Sequence, residues 1–272
     1  MSPAAAKSTS ARLNGEPVTA EQLRPLAVIN YGHFTAMQVR GRAVQGLDLH
    51  IARLQAGTRE LFEAELPRER IVDALADAVR HGPPDSSLRL TVFSRAFDYR
   101  APLQPVPLDI LVTLGPAAHA DKPSLRVKSF EFVRTLPQVK HVGTFPLFHL
   151  RRRALQDGFD DALFVTPDGR ISEGSIWNVG FWDGEGVVWP TGPALRGTSE
   201  QLLQAGLAEL GIAQSSRPVS LAEAADFRAA FAANASGVQT IHGIDAVAYP
   251  EEPELPGLLR RALARPAWTP IA

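Results

Sequence analysis

Four short β-like runs, at residues 162–166, 171–173, 178–182 and 187–189, follow one another in close succession, punctuated by Asp168-Gly169 and by Asp183-Gly184-Glu185-Gly186. Asp-Gly and Gly-rich turns supply the positive φ that tight hairpins require, and runs this short do not make helices. The stretch therefore predicts neighbouring strands of a sheet. Around it, 125–132 and 237–244 read as strands. Residues 145–157, 199–210 (ending at Gly211, a natural C-cap) and 255–264 read as helices. The preceding half is of a different kind. Asn14-Gly15 predicts a tight turn between two short strands, and 35–40 and 43–45 a hairpin about Gly41-Arg42. Leu47, Ile51, Leu54, Leu61 and Phe62 recur at the helical period over 47–62, and Ile71, Leu75 and Val79 mark a second helix after Pro67. Residues 88–92 alternate cleanly, and 108–114 is a further β-rich run.

The fold class expected is α/β (α+β) in two domains. Residues 115–123 hold one Gly, two Pro and three Ala between strand-like stretches and are taken as the connection. The expected division is a disordered tail over 1–12, a small N-terminal α/β domain over 13–114, the linker 115–123, and a larger C-terminal domain over 124–272.

Composition narrows the function classes. Lys and Arg number 28 against 29 Asp and Glu, for a formal charge of -1, and no basic block appears, so no footprint for nucleic acid or an anionic membrane exists. No stretch of about 18 apolar residues is present to span a bilayer. With no cysteine, disulfide frameworks, thiolate zinc sites and cysteine nucleophiles are excluded together. The seven histidines show no metal-ligand spacing, and no metal is expected. Residues 1–12 lack the apolar run of a signal peptide, and a cytoplasmic location is expected. Walker A, G-x-G-x-x-G, G-x-S-x-G and H-E-x-x-H are all absent, which leaves other small-molecule chemistry.

Four stretches can carry that chemistry. His50 and Arg53, three apart, share a helix face; taken alone, an amphipathic helix with a solvated arginine explains them. Lys140 follows a proline turn next to apolar residues, where it is either surface charge or a desolvated amine able to form Schiff bases. Gly158 to Val165, then Asp168 to Ser175 with Glu173, then Asn178, form a dense block that a plain hairpin with an edge carboxylate also explains. Leu195-Arg196-Gly197-Thr198-Ser199-Glu200 opens a helix with the N–H groups and hydroxyls that suit a phosphate, or with an ordinary N-cap.

Taken in order, these stretches resemble the fold-type IV pyridoxal phosphate enzymes, the class IV aminotransferase superfamily of branched-chain and D-amino acid aminotransferases, R-selective amine transaminases and aminodeoxychorismate lyase. The likeness runs from Asn14-Gly15 through Gly32-His33-Phe34-Thr35, 47–54, Lys140, 158–178 and 195–199 to 238–245. It implies pyridoxal 5'-phosphate as cofactor, a barrel-like C-terminal domain and a homodimer. By the same resemblance Lys140 is the lysine that forms the Schiff base and moves the substrate's α-proton. Glu173 is the carboxylate that keeps the pyridine nitrogen protonated, and Arg53 a phosphate ligand. Asn178, Gly197, Thr198, Ser199 and Asn234 complete the implied cofactor contacts.

Departures from the family pattern touch substrate more than cofactor. Thr35 stands where many members have Glu, and Phe145 where branched-chain enzymes show Tyr. Phe34, Arg95 and Phe145 are the implied substrate-side residues, and Thr35 a catalytic hydroxyl. The activity implied is transfer of an amino group between an amino acid or amine donor and a 2-oxo acid. Phe34-Thr35 and Lys140-His141 resemble the lyase branch instead, which releases 4-aminobenzoate and pyruvate. A third reading is a non-catalytic pyridoxal phosphate-binding module.

Overall fold

The computed structural model describes residues 10–119 and 122–271. The expected disordered tail falls on residues 1–9 outside that range, but its last three residues do not: strand β1 already begins at Ser10. Two compact units emerge. The first holds residues up to Ala118 together with Val139–Gly143 and Trp268–Ala272; the second holds His119–Gln138 and Thr144–Ala267.

The first unit runs β1 (Ser10–Leu13), β2 (Glu16–Pro17), α1 (Ala20–Ile29), β3 (Gly32–Val39), β4 (Ala43–Gln45), α2 (Leu47–Phe62), α3 (Arg68–His81), β5 (Ser86–Phe93) and β6 (Asp109–Gly115). Its five-stranded antiparallel sheet has the order β2-β1-β6-β5-β3. Alternation on β5 turns Leu88, Leu90 and Val92 into one core with Ile51 and Leu54 of α2 and Ile71, Leu75 and Val79 of α3. The opposite face carries Leu13, Phe93 and Leu111, against which Leu23 and Leu26 of α1 pack. The hairpin expected about Gly41-Arg42 shrinks to one bridge, Arg40 to Ala43, and 43–45 pairs instead with Trp268–Pro270.

The second unit runs β7 (Leu125–Glu131), α4 (Phe145–Gln156), β8 (Asp161–Val165), β9 (Ile171–Gly174), β10 (Asn178–Trp182), β11 (Gly186–Pro190), α5 (Thr198–Glu209), β12 (Ala213–Arg217), β13 (Ala229–Asn234), β14 (Gly237–Ile244), β15 (Val247–Ala248) and α6 (Leu255–Ala264). Its sheet is a curled, nine-stranded mixed sheet whose main path is β12-β11-β10-β13-β14-β7-β8-β9. The parallel pair β7 and β8 requires a crossover, supplied by α4. That crossover includes Val139–Gly143, the segment that joins the first unit. One face of the sheet buries Trp177, Phe181, Phe227 and Ile241, and the other packs Trp189 and Phe231 against Leu203 and Leu207 of α5 and Leu259 of α6. The last strand, β16 (Trp268–Pro270), returns to the first unit and pairs with β4. No helix among the described residues is long and apolar enough to cross a membrane.

Helices α5 and α6 approach so closely that a Cβ on Gly206 would lie 1.9 Å from the backbone oxygen of Ala262. Alanine gains about 1 kcal/mol of helix propensity, but backbone cannot move aside as a side chain can. Gly206→Ala is therefore expected to destabilise the protein by about 2 kcal/mol, read as a lower urea midpoint. An unchanged or raised midpoint would contradict the close crossing.

Candidate functional site

In the first unit, the helical spacing of His50 and Arg53 turns both side chains of α2 toward β3. Thr35, 0% exposed, sits opposite them. Its Oγ1 is 2.6 Å from Nδ1 of His50, which is 3% exposed, and accepts a hydrogen bond from Arg53 Nη2. The same Arg53 nitrogen lies 3.4 Å from His50 Nδ1. Arg53 is thus not the solvated arginine of a plain amphipathic helix. Among the described residues it forms no ion pair with a carboxylate, and its buried Nε has no hydrogen-bond partner. Burial lowers its pKa to about 10, which leaves it a cation at neutral pH. Burial, followed by the charges of Arg53 and Lys140, holds His50 well below its ordinary pKa, so its imidazole is neutral.

Lys140 is fixed to β3 through its backbone. Phe34 N donates to Lys140 O at 2.9 Å, Val142 N donates to Gly32 O at 2.9 Å, and His33 and His141 form a bridge. Buried Val139 and Val142 flank it. Lys140 Nζ stands 5.0 Å from the centre of the Phe34 ring, over which the Arg89 guanidinium carbon also lies at 3.6 Å. Phe34, Thr35, Arg53 and Lys140 are thereby gathered within one unit.

His33, beneath this group, has its Nε2 3.0 Å from Thr58 Oγ1. Because that hydroxyl donates to Leu54 O, it accepts from His33 Nε2–H. Burial first, and the Arg53 charge second, push the His33 pKa down to about 4. The unfolded chain, with an ordinary histidine near 6.5, then binds the proton more readily than the folded one. Stability is full above about pH 6.5 and is lost as the pH falls toward 4, by about 3 kcal/mol in total. His33→Gln is expected to flatten the difference in urea stability between pH 7 and pH 4.5 relative to the parent. Parallel profiles would contradict this assignment.

In the second unit Glu173, 5% exposed on β9, carries its carboxylate 3.6 Å from Arg134 Nη1, and Arg134 is itself 7% exposed. Glu173 is buried although β9 ends the main path of the sheet. Arg134, in the irregular segment after β7, has no counterpart in the sequence reading, since neither periodicity nor a motif marks it. Asn178 donates from Nδ2 to Leu195 O at 2.6 Å and so anchors the loop before α5. A Cβ on Gly197 would meet Asn178 Oδ1 at 2.2 Å, so this close approach requires glycine. Gly197 caps α5, where Glu200 accepts from Gly197 N and from Arg196. Thr198, buried, and Ser199, half-buried, open the helix, and the first N–H groups of a helix have no partner within it. Asn234 accepts from Ser236 N at 2.9 Å and lines a cavity of about 230 Å³ with Trp177, Arg151, Asp161 and Lys122.

The implied substrate residues fare differently. Phe34 is buried beside Lys140. Arg95 is held by Asp109, with Nη2 3.0 Å from Oδ1 and its backbone N donating to Oδ2 at 2.8 Å. Phe145 is 75% exposed at the start of α4 and stacks on His149.

The family model described as amino-transferase class IV matches residues 32–244. The "Probable branched-chain-amino-acid aminotransferase" of Synechocystis sp. is 26% identical over 188 residues, 65% of this chain and 61% of that protein, so the chain spans about three fifths of this curated relative. Among solved structures, the branched-chain aminotransferase of Thermoproteus uzoniensis with norvaline superposes with a TM-score of 0.84 at 18% identity, covering 97% of this chain and 99% of that one. The branched-chain amino acid aminotransferase of Thermobaculum terrenum in its PLP form gives 0.83 at 18% identity, covering 98% and 99%. These likenesses establish the fold-type IV architecture. The chain belongs to the class IV aminotransferase family.

Proposed function

We propose that this protein is an aminotransferase that moves an amino group between an amino acid or amine and a 2-oxo acid, with Lys140 as its reactive lysine. The observation that carries the reading lies within the first unit. A primary amine with a pinned backbone and a buried arginine that pairs with no carboxylate among the described residues both act on His50. An aldehyde bearing a phosphate needs this combination: an amine for the carbonyl and a cation for the anion.

The residues present fit the cofactor. Taken unit by unit, Arg53, with its unused Nε, suits a phosphate in the first, and the α5 N-terminus at Gly197, Thr198 and Ser199 has the free N–H groups for one in the second. Glu173 suits the ring nitrogen. When bound, pyridoxal phosphate supplies a carbonyl for amine exchange and a ring that takes up the electrons left at the substrate's α-carbon. Lys140 Nζ carries the proton taken from that carbon. Glu173 would supply negative charge at the ring nitrogen, with Arg134 as its ion-pair partner 3.6 Å away. Asn178 keeps the 195–197 loop in place for the phosphate. Asn234 acts through its loop, and a second copy of the chain completes a homodimer whose location is cytoplasmic.

Absorbance spectra of the cofactor-loaded protein, recorded while L-Glu, L-Ala, D-Ala, branched-chain amino acids and R-1-phenylethylamine are added in turn, test the reading. Conversion to the pyridoxamine form by at least one donor is expected, and that donor defines the half-reaction. A loaded protein that no donor converts, but that releases pyruvate from aminodeoxychorismate, would replace this reading with the lyase suggested by Phe34-Thr35 and Lys140-His141.

A further inference from the structure

The lyase reading depends on Thr35 having a proton to give, and the surroundings of Thr35 bear on that directly. Its Oγ1 is 0% exposed and has two neighbours, Arg53 Nη2 and His50 Nδ1. A guanidinium is only a donor, so Oγ1 is the acceptor in the first contact. The second contact is settled by Arg53 as well. Its Nη2 lies 3.4 Å from the same His50 Nδ1, and a cationic donor beside that nitrogen favours a lone pair there over an N–H. His50 Nδ1 is then the acceptor, and the one hydroxyl proton of Thr35 points to it. The hydroxyl's one proton and one of its two lone pairs are taken inside the unit, in a chain from guanidinium to hydroxyl to neutral imidazole.

We infer that Thr35 and His50 are positioning residues for Arg53: the hydroxyl fixes the guanidinium for the anionic end of the cofactor, and its proton, committed to the imidazole, takes no part in proton transfer with substrate. Thr35 is thereby moved from the catalytic group implied by the family resemblance to the support of the cofactor. This inference rests on the proposed function for the identity of the anion, but not for the geometry. Where many members place Glu, a carboxylate would neutralise Arg53. Threonine holds the guanidinium without cancelling its charge, so the full cation remains for the phosphate.

Thr35→Val keeps the shape and removes the hydroxyl, while Thr35→Ser keeps the hydroxyl. In titrations of apoprotein, Thr35→Val is expected to weaken pyridoxal phosphate binding about tenfold or more, the loss expected for a hydrogen bond to a charged group. It is also expected to abolish most of the thermal stabilisation that inorganic phosphate gives the apoprotein. At saturating cofactor and donor, kcat should fall by much less than cofactor affinity does. Thr35→Ser should restore all three readouts, and His50→Gln should weaken cofactor binding in the same direction. In an Arg53→Lys background Thr35→Val should add little, because the two residues act as one unit. Parent-like cofactor and phosphate binding with kcat reduced by two orders of magnitude would overturn the inference and return Thr35 to catalysis. Failure of the proposed function is read separately: the parent would then take up no pyridoxal phosphate label at Lys140, while the phosphate arm still decides how Arg53 is held.

Discussion

Lys140→Ala is expected to lower turnover by roughly 10⁴-fold, since one residue supplies both the amine and the proton transfer at the substrate's α-carbon. The loss should be chemical rather than structural. What ties this segment to β3 is the backbone, through Phe34 N to Lys140 O and Val142 N to Gly32 O, together with the buried Val139 and Val142. None of these contacts involves the lysine side chain. The variant should therefore fold with a near-parental urea midpoint and still bind pyridoxal phosphate. An exogenous small primary amine should restore part of the proton transfer. Turnover within tenfold of the parent would remove Lys140 from the chemistry.

Glu173→Gln should lower turnover by roughly 10²- to 10³-fold, the range seen when one preorganised electrostatic group is removed. Glutamine cannot hold negative charge at the ring nitrogen, so the ring becomes a poorer acceptor of electrons while its phosphate contacts are untouched. A second effect comes from Arg134, 3.6 Å away and 7% exposed. Deleting the carboxylate removes the ion-pair partner of a buried cation, so Glu173→Gln is also expected to lower the urea midpoint. The two effects separate in the double variant Arg134→Met with Glu173→Gln. Stability should return, because a buried pair replaced as a whole costs little, while turnover should stay low. If turnover recovers with stability, Glu173 matters through folding and not through the cofactor.

Legibility in the sequence follows how local each signal is. Helix α2 over Leu47–Phe62 and helix α6 over Leu255–Ala264 coincide with the ranges read from periodicity, because their buried residues recur at the helical repeat. Helix α1 escapes that reading. It contains Pro25 and has no fully buried residue, so its evidence reduces to the capping box of Thr19 and Gln22. Strand β13, Ala-Ala-Phe-Ala-Ala-Asn, is poor in β-formers and is held as a strand by its neighbours β10 and β14. The site divides along the same line. The three-residue spacing of His50 and Arg53 is visible on a helix, but Thr35 meets them from a strand 15 residues from His50, through tertiary packing alone. Family resemblance picks out Lys140, Glu173 and Arg53 as chemical positions. It does not reveal that Arg134 stands beside Glu173, that Asp109 holds Arg95, or that Phe145 is exposed at the start of its helix.

The most direct measurement is borohydride reduction of the cofactor-loaded protein followed by peptide mapping. A single pyridoxyl label on Lys140, present at about one per chain and absent from Lys140→Ala, is the result expected. A label on another lysine, such as Lys122 or Lys128, or no label in a protein that holds the cofactor, would contradict the assignment of Lys140 as the reactive amine.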